Sequence, residues 1–231
     1  MQRIVCRYRR DSSTSIVSQS VLRALFERAA ELAGVPLDRE RRTVVMGPPL
    51  PPGATSEAER LVFELCEPRE PSQVCLLINV QLPAGLLIEQ AWIARPGGPE
   101  ENPAHFDEAV YDVLWPGAPS VELLSARLQD FLMASVVHFT RVREKKTQQF
   151  NARALTREVR LLSSRDDVAR LLLTVSIGPQ GSLRPDELLS VLGYTPLQGD
   201  LHIHRIALQQ SAWHHTSSQR RCEPCWRPGR E

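Results

Sequence analysis

The chain has 231 residues, of which 42% are hydrophobic and 24% charged, and its formal net charge is +1. That length allows one large domain or two small ones, and the composition is that of a packed globular protein rather than a disordered or fibrous one. The longest apolar runs are far too short to span a bilayer.

The small net charge hides an uneven distribution. Residues 1–42 carry nine Arg against five acids, residues 53–112 three Arg against eleven acids, and residues 138–170 nine basic residues against four acids. An acidic middle between two basic segments predicts one acidic and one basic surface. Nearly all the cations are Arg, with Lys145 and Lys146 the exceptions. A GC-rich genome accounts for that bias, although Arg also suits bidentate phosphate binding. Five Cys, an odd number in a chain that opens without an apolar leader, argue against a disulfide framework and for a cytoplasmic setting. Cys6, Cys66 and Cys75 stand in apolar contexts and read as core thiols.

In chain order, residues 3–9 alternate Ile4, Cys6 and Tyr8 against Arg3, Arg7 and Arg9, the pattern of a half-buried strand. Val21, Leu22, Leu25, Phe26, Ala29, Leu32 and Ala33 recur at helical spacing and Gly34 stops them. Residues 43–46 read as a short strand, the four prolines within 47–53 as an extended loop, and 61–66 as a strand. A helix opens at Pro71 and ends before Pro83 and Gly85, and 86–94 is a strand. The order β-α-β-β-α-β is the ferredoxin-like arrangement. Residues 96–106 read as a linker. A second set then follows: a strand at 109–115, a helix from Val121, a strand at 136–142, a basic segment at 150–162, a strand at 168–177, a helix at 183–192 and a strand at 201–208. The expected fold is therefore α+β, with ferredoxin-like halves at 1–95 and 107–210, and with a mobile Arg- and Cys-containing tail at 211–231.

Several functional classes are excluded by missing motifs. There is no close triplet of thiolates for a [4Fe–4S] cluster, no phosphate loop, no GxGxxG fingerprint and no GxSxG elbow. Among positive signals, the basic run Arg141, Arg143, Lys145, Lys146, Arg153, Arg157 and Arg160 is the candidate nucleic-acid surface. Arg153, Arg157 and Arg160 would form one stripe if their segment is helical; the plainer reading is a solvated charged face. In the tail, His214-His215-x6-Cys222-x2-Cys225 fits half a tetrahedral zinc site through His214, Cys222 and Cys225. The plainer reading is a tail with incidental cysteines, so no cofactor is expected, with zinc the alternative. His202 and His204 would share one strand face without a supporting carboxylate cluster. Glu57 and Glu59 would share a side of a strand entry, where paired carboxylates can do acid–base work, but with nothing else converging on them a solvated edge is expected.

Several segments together carry a resemblance. They are Pro49-Leu-Pro-Pro-Gly-Ala-Thr-Ser-Glu-Ala-Glu59, Leu61-Val-Phe-Glu-Leu65, Leu77-Ile-Asn-Val-Gln-Leu-Pro-Ala-Gly85, Ile88-Glu-Gln-Ala-Trp92, Asn151-Ala-Arg-Ala-Leu155, Leu183-Arg-Pro-Asp-Glu-Leu-Leu189 and His204-Arg-Ile-Ala-Leu208. In this order they resemble an uncharacterised bacterial family found fused to, or encoded beside, radical SAM proteins. Ser18, Arg153, Arg184, Pro185 and Arg205 fall on the family's motif positions. The first helix of family members starts Ser-His-Leu-Asp, where this chain has Ser18-Gln19-Ser20-Val21. Where they carry a Gly-Phe-Asn/His-Pro-x-Pro loop, this chain has residues 37–42; where the third motif has Asp, it has Asn151. The resemblance implies a partnership with a radical SAM protein rather than a reaction. With the basic segments docking nucleic acid, the chain reads as an accessory protein that contacts RNA or a ribosome-linked substrate. The alternative is an RNA-modifying enzyme subunit with a degenerate or unrecognised active site, near the proline-rich loop and first helix. Paired ferredoxin-like halves also occur in tRNA pseudouridine synthases, which need a catalytic Asp for which this sequence shows no position.

Overall fold

The computed structural model describes residues 1–38, 40, 44–95, 102–143, 146–178, 181–196 and 200–210. The fold is α+β, with five α-helices and a large mixed sheet among those residues.

β1 (Gln2–Arg10) turns Ile4, Cys6 and Tyr8 into the core and Arg3 and Arg7 to the other side. α1 (Gln19–Leu32) starts at Ser18, whose hydroxyl accepts from the Val21 amide at 3.4 Å. It lays Leu22, Phe26, Ala29 and Ala30 on the sheet and ends ahead of Gly34, whose φ of 67° suits a residue without Cβ. β2 (Val44–Met46), β3 (Thr55–Leu65), α2 (Pro71–Gln81) and β4 (Leu86–Ile93) follow. The strands lie in the order β2-β3-β1-β4, every neighbouring pair antiparallel. β3 begins six residues earlier than its apolar run, because the polar stretch of Thr55, Ser56, Glu57 and Glu59 is itself paired in the sheet. Cys6 is buried, but Cys66 is exposed just past the strand end, so it is not a core thiol.

The second half starts with β5 (Glu108–Pro116) and α3 (Val121–Met133). The strand expected at 136–142 does not join the main sheet. Instead β6 (His138–Arg143) and β7 (Lys146–Asn151) pair with each other as a separate two-stranded hairpin. The basic segment after it is not one helix. α4 (Ala152–Leu155) is a single turn capped by the Asn151 side chain, and β8 (Thr156–Arg165) is a strand paired with β9 (Val168–Gly178). Arg157 and Arg160 therefore lie on a strand, and the helical stripe with Arg153 does not exist. Cross-strand pairing and burial of Thr156, Val159 and Leu161 outweigh the helical spacing of the arginines. Asp166 and Asp167, both at positive φ, make the two-residue turn that sets this register. β10 (Gly181–Ser182), α5 (Pro185–Val191) and β11 (His202–Gln209) complete the half, with strand order β8-β9-β5-β11, again antiparallel.

The halves share one sheet through a parallel pairing of β11 with β3, His204 opposite Thr55 and Arg205 opposite Ser56. Each half has its own core. Ile4, Tyr8, Phe26, Phe63 and Ile78 centre the first; Tyr111, Trp115, Leu124, Leu173 and Leu188 centre the second. Both helix layers cover the same face of the sheet, since Ile203 and Arg205 turn to the side on which Glu59 and Leu61 also lie. On the opposite face the arginines are matched by acids: Arg3 with Glu64, Arg7 with Glu89, Arg157 with Glu108, Arg160 with Glu158 and Arg170 with Asp112.

Of the stretch 96–106 expected as a linker, residues 96–101 lie outside the described residues. Pro103–His105 form a 3-10 turn, and Asp107 beyond it bonds to β9 and β11 backbone. The tail 211–231 also lies outside the described residues.

Candidate functional site

A buried polar centre sits where β3, β11 and the proline-rich loop meet. Arg205 on β11 is fully buried and Glu59 on β3 is 3% exposed. The Arg205 guanidinium donates from Nε to Oε1 of Glu59 at 2.8 Å and from Nη2 to both carboxylate oxygens. Nη2 also lies 3.0 Å from the Pro48 carbonyl, and Nη1 donates to the Pro49 carbonyl at 3.3 Å. Prolines cannot donate to a sheet ladder, so this loop stays off the sheet and its carbonyls are free to accept. Burial would favour neutral Arg205, yet Glu59 and Tyr111 push its pKa above the ordinary arginine range. The bidentate fork fixes both orientation and charge.

Beside this pair, Arg10 is 5% exposed and occupies a bulge at the end of β1. Its Nη2 donates to the Thr14 carbonyl and to that of Val17 at 3.1 Å, while Nε has no partner. Burial lowers the Arg10 pKa, against the opposing pull of Tyr8 and Glu59, with the neighbouring Arg205 adding to the lowering. Tyr8 is buried next to both, and burial and the Glu59 charge raise its phenol pKa. Tyr8, Arg10 and Glu59 form the floor of a cavity of about 180 Å³, walled by Ser18 and by Gln19 and Leu22 of α1 and roofed by Gly47, Pro48, Pro49, Leu50 and Pro52. Gln19 ties helix to loop by donating to the Gly47 carbonyl at 2.6 Å. Gln19 stands where the family resemblance places a His, so that family position faces this cavity.

The motif residues singled out by sequence divide between three places. Ser18 lines the cavity, and Arg205 lies behind it, bonded to Glu59, which does line it. Arg184 and Pro185 begin α5, where the Glu187 carboxylate accepts from the Arg184 amide at 2.9 Å. Arg153 donates to the Leu132 and Thr156 carbonyls at 3.3 and 3.2 Å. Arg141 is an anchor within the fold, donating to both Glu187 oxygens at 2.6 Å and to the Ser182 carbonyl at 2.8 Å. Its guanidinium also lies over the stacked rings of Phe139 and Phe150. Arg143 and Lys146 close the far end of the β6–β7 ladder. Lys145, Arg42, His214, Cys222 and Cys225 lie outside the described residues.

Glu59 is the residue that sequence reasoning missed. The expected solvated edge is instead the partner of Arg205, and only the opposed charge of a distant Arg on the last strand hinted at it. His204 Nδ1 lies 2.7 Å from the Thr55 hydroxyl, and Asp112 nearby is taken by Arg170. Among the described residues no group of three or more His, Cys, Asp or Glu is placed to hold a metal. No helix among them is long and apolar enough to cross a membrane.

No curated protein matches the chain. Solved structures similar to it include "Crystal Structure of a Cbf5-Nop10-Gar1 Complex", at 9% identity, with 89% of this chain and 48% of that one covered and a TM-score of 0.49. "Structure of H/ACA RNP bound to a substrate RNA containing 2'-deoxyuridine" is similar at 8% identity, covering 90% and 47%, with a TM-score of 0.43. "Crystal structure of the archaeal box H/ACA sRNP Nop10-Cbf5 complex" follows at 9% identity, 88% and 46%, with a TM-score of 0.44. The chain spans about half the length of these proteins, and likeness at this level assigns nothing to it. A family model described as "Uncharacterized protein conserved in bacteria (DUF2344)" matches residues 3–185, most of the chain, and the chain belongs to this family.

Proposed function

We propose that this chain is an accessory binding protein of two ferredoxin-like halves that touches RNA through the hairpin β6–β7. In this reading it works in the cytoplasm beside a radical SAM enzyme and carries no cofactor chemistry of its own. The ferredoxin-like assignment is supported by the strand orders β2-β3-β1-β4 and β8-β9-β5-β11, each with two helices on one face. The hairpin is then an insertion between the first helix and second strand of the second unit. The radical SAM partner is taken from the family resemblance in the sequence.

The hairpin is the observation that carries the RNA reading. It stands apart from the main sheet, and the buried Arg141–Glu187 pair fixes its orientation. Arg143 and Lys146 pair at its far end, and the sequence there runs Arg143-Glu144-Lys145-Lys146, three basic residues against one acid. A rigidly based ribbon with a basic end is suited to phosphate contact. The arginines of the sheet face are already matched by acids and suit it less. Salt-dependent binding of a fluorescent single-stranded RNA tests the reading. Replacing Arg143, Lys145 and Lys146 together by Ala is expected to weaken binding and to lower the salt slope by about two to three. Replacing Arg157 and Arg160 is expected to change little. Unaltered affinity in the triple variant ends the RNA proposal. Affinity capture of the tagged chain coexpressed with a radical SAM protein of the same genome tests the partnership separately, and failure to co-purify removes it.

A further inference from the structure

The cavity beneath the proline-rich loop contains an unbalanced buried charge. Glu59 is neutralised by Arg205 through the bidentate fork, which leaves the Arg10 guanidinium without a carboxylate at ion-pair distance among the described residues. Arg10 is 5% exposed, lines the cavity, and has a buried Nε with no partner. Glu59 also lines the cavity and attracts Arg10 through space, but its carboxylate is held by Arg205, so the three side chains keep one net positive charge, and a buried net charge is costly unless something anionic meets it. The second wall is the start of the 14-residue helix α1. Its first turn contains no acidic residue, and its first amides have no acceptor within the helix. The two features are adjacent, since Arg10 Nη2 donates to the carbonyl of Val17, immediately before the Ser18 cap. Ser18 and Gln19 line the same wall, the Ser18 hydroxyl accepting from the Val21 amide and the Gln19 side chain donating to the Gly47 carbonyl.

We propose that this cavity is a binding site for one small oxyanion, a phosphoryl or carboxylate group, held between the Arg10 guanidinium and the first turn of α1. The cavity, about 180 Å³, is smaller than the roughly 300–1,000 Å³ of sites for drug-sized ligands, so it takes a single anionic group. Arg10 supplies a planar donor set, and the helix start supplies amides and a favourable dipole. The site is independent of the hairpin and of any RNA contact.

The test is calorimetric titration of the full chain, in a buffer free of oxyanions, with inorganic phosphate and with acetate. Thermal stability is followed in parallel. Saturable binding of at least one probe is expected, with a matching rise in Tm; the tighter probe assigns the ligand class. Arg10→Gln is expected to weaken binding about tenfold or more. Gln19→Glu tests the same site with an acid that is favourable in the first turn of a helix; because it gives up the Gln19 donation to the Gly47 carbonyl, its fold is checked by Tm and circular dichroism. Its carboxylate is expected to occupy the anion's place and abolish the response. Arg170→Gln, on the opposite sheet face, is expected to bind as the parent does. No saturable response to either probe overturns the proposal. So does an undiminished response in Gln19→Glu, whether or not Arg10→Gln folds.

Discussion

At the scale of the residue, Glu59 and Arg205 decide the most. They are 146 positions apart, and each would be ruinous alone, since a buried charge without its partner loses its solvation and gains nothing in return. Glu59→Gln or Arg205→Met is expected to cost about 3–5 kcal/mol, as expected for a broken buried pair. The double variant Glu59→Gln/Arg205→Met should cost clearly less than the sum of its single changes. Chemical denaturation of the four proteins checks this, and additive losses would mean that the two groups do not act as a pair. The residue types of this pair were legible in the sequence, but their partnership was not. A Glu beside Glu57 in a polar stretch reads as surface until a parallel strand from the other half is laid against it. Arg141 teaches the same lesson in reverse. It reads as part of a basic patch, yet its charge is spent on Glu187 and two stacked rings.

At the scale of the element, the hairpin β6–β7 and the strand β8 are where sequence and structure part. Alternation at 136–142 identified extended chain correctly, but alternation is silent about which neighbour a strand will choose. The helical spacing of Arg153, Arg157 and Arg160 was real and misleading, because exposed arginines carry little information about backbone conformation once a long strand such as β9 offers a full ladder. The hairpin depends on its anchor. Although burial raises the Glu187 pKa, the hydrogen bonds from Arg141 and the Arg184 amide outweigh it and hold the carboxyl below its ordinary value. A depressed carboxylate stabilises fully above its unfolded pKa, about 4.3, and that contribution disappears as pH falls through the folded value. Asp186 beside it works in the opposite sense, since burial raises its pKa and its ionisation opposes the fold. Hydrogen exchange should therefore show β6 and β7 loosening in Arg141→Ala at neutral pH and in the parent protein below about pH 4, with β5 and β9 still protected. Unchanged hairpin exchange in Arg141→Ala would show that the anchor is dispensable.

At the scale of the whole molecule, two separately packed cores share one sheet through two register pairs of β11 and β3, reinforced by the Arg205–Glu59 fork and the proline carbonyls. A junction of this kind couples the halves, because parting them exposes the ion pair. Variants retaining only Trp92, on β4, or only Trp115, on β5, report on the first and second half. Their fluorescence unfolding midpoints are expected to coincide. Two distinct midpoints would show that the halves melt independently.

What the sequence determined by itself was local. The period of two along β1, β5 and β9, the helical period of α1 and α3, the stops at Gly34 and Gly85, and the absence of cofactor fingerprints all follow from neighbours within a few residues. These are set by backbone geometry and burial of one face. What only the tertiary structure decided was partnership. It placed Glu59 against Arg205, withdrew the hairpin from the sheet, matched the arginines of the bare face to acids, and left Arg10 buried without a counter-charge. The reason is physical: a charge's environment depends on which distant segments exclude water from it, and spacing along the chain does not encode that exclusion.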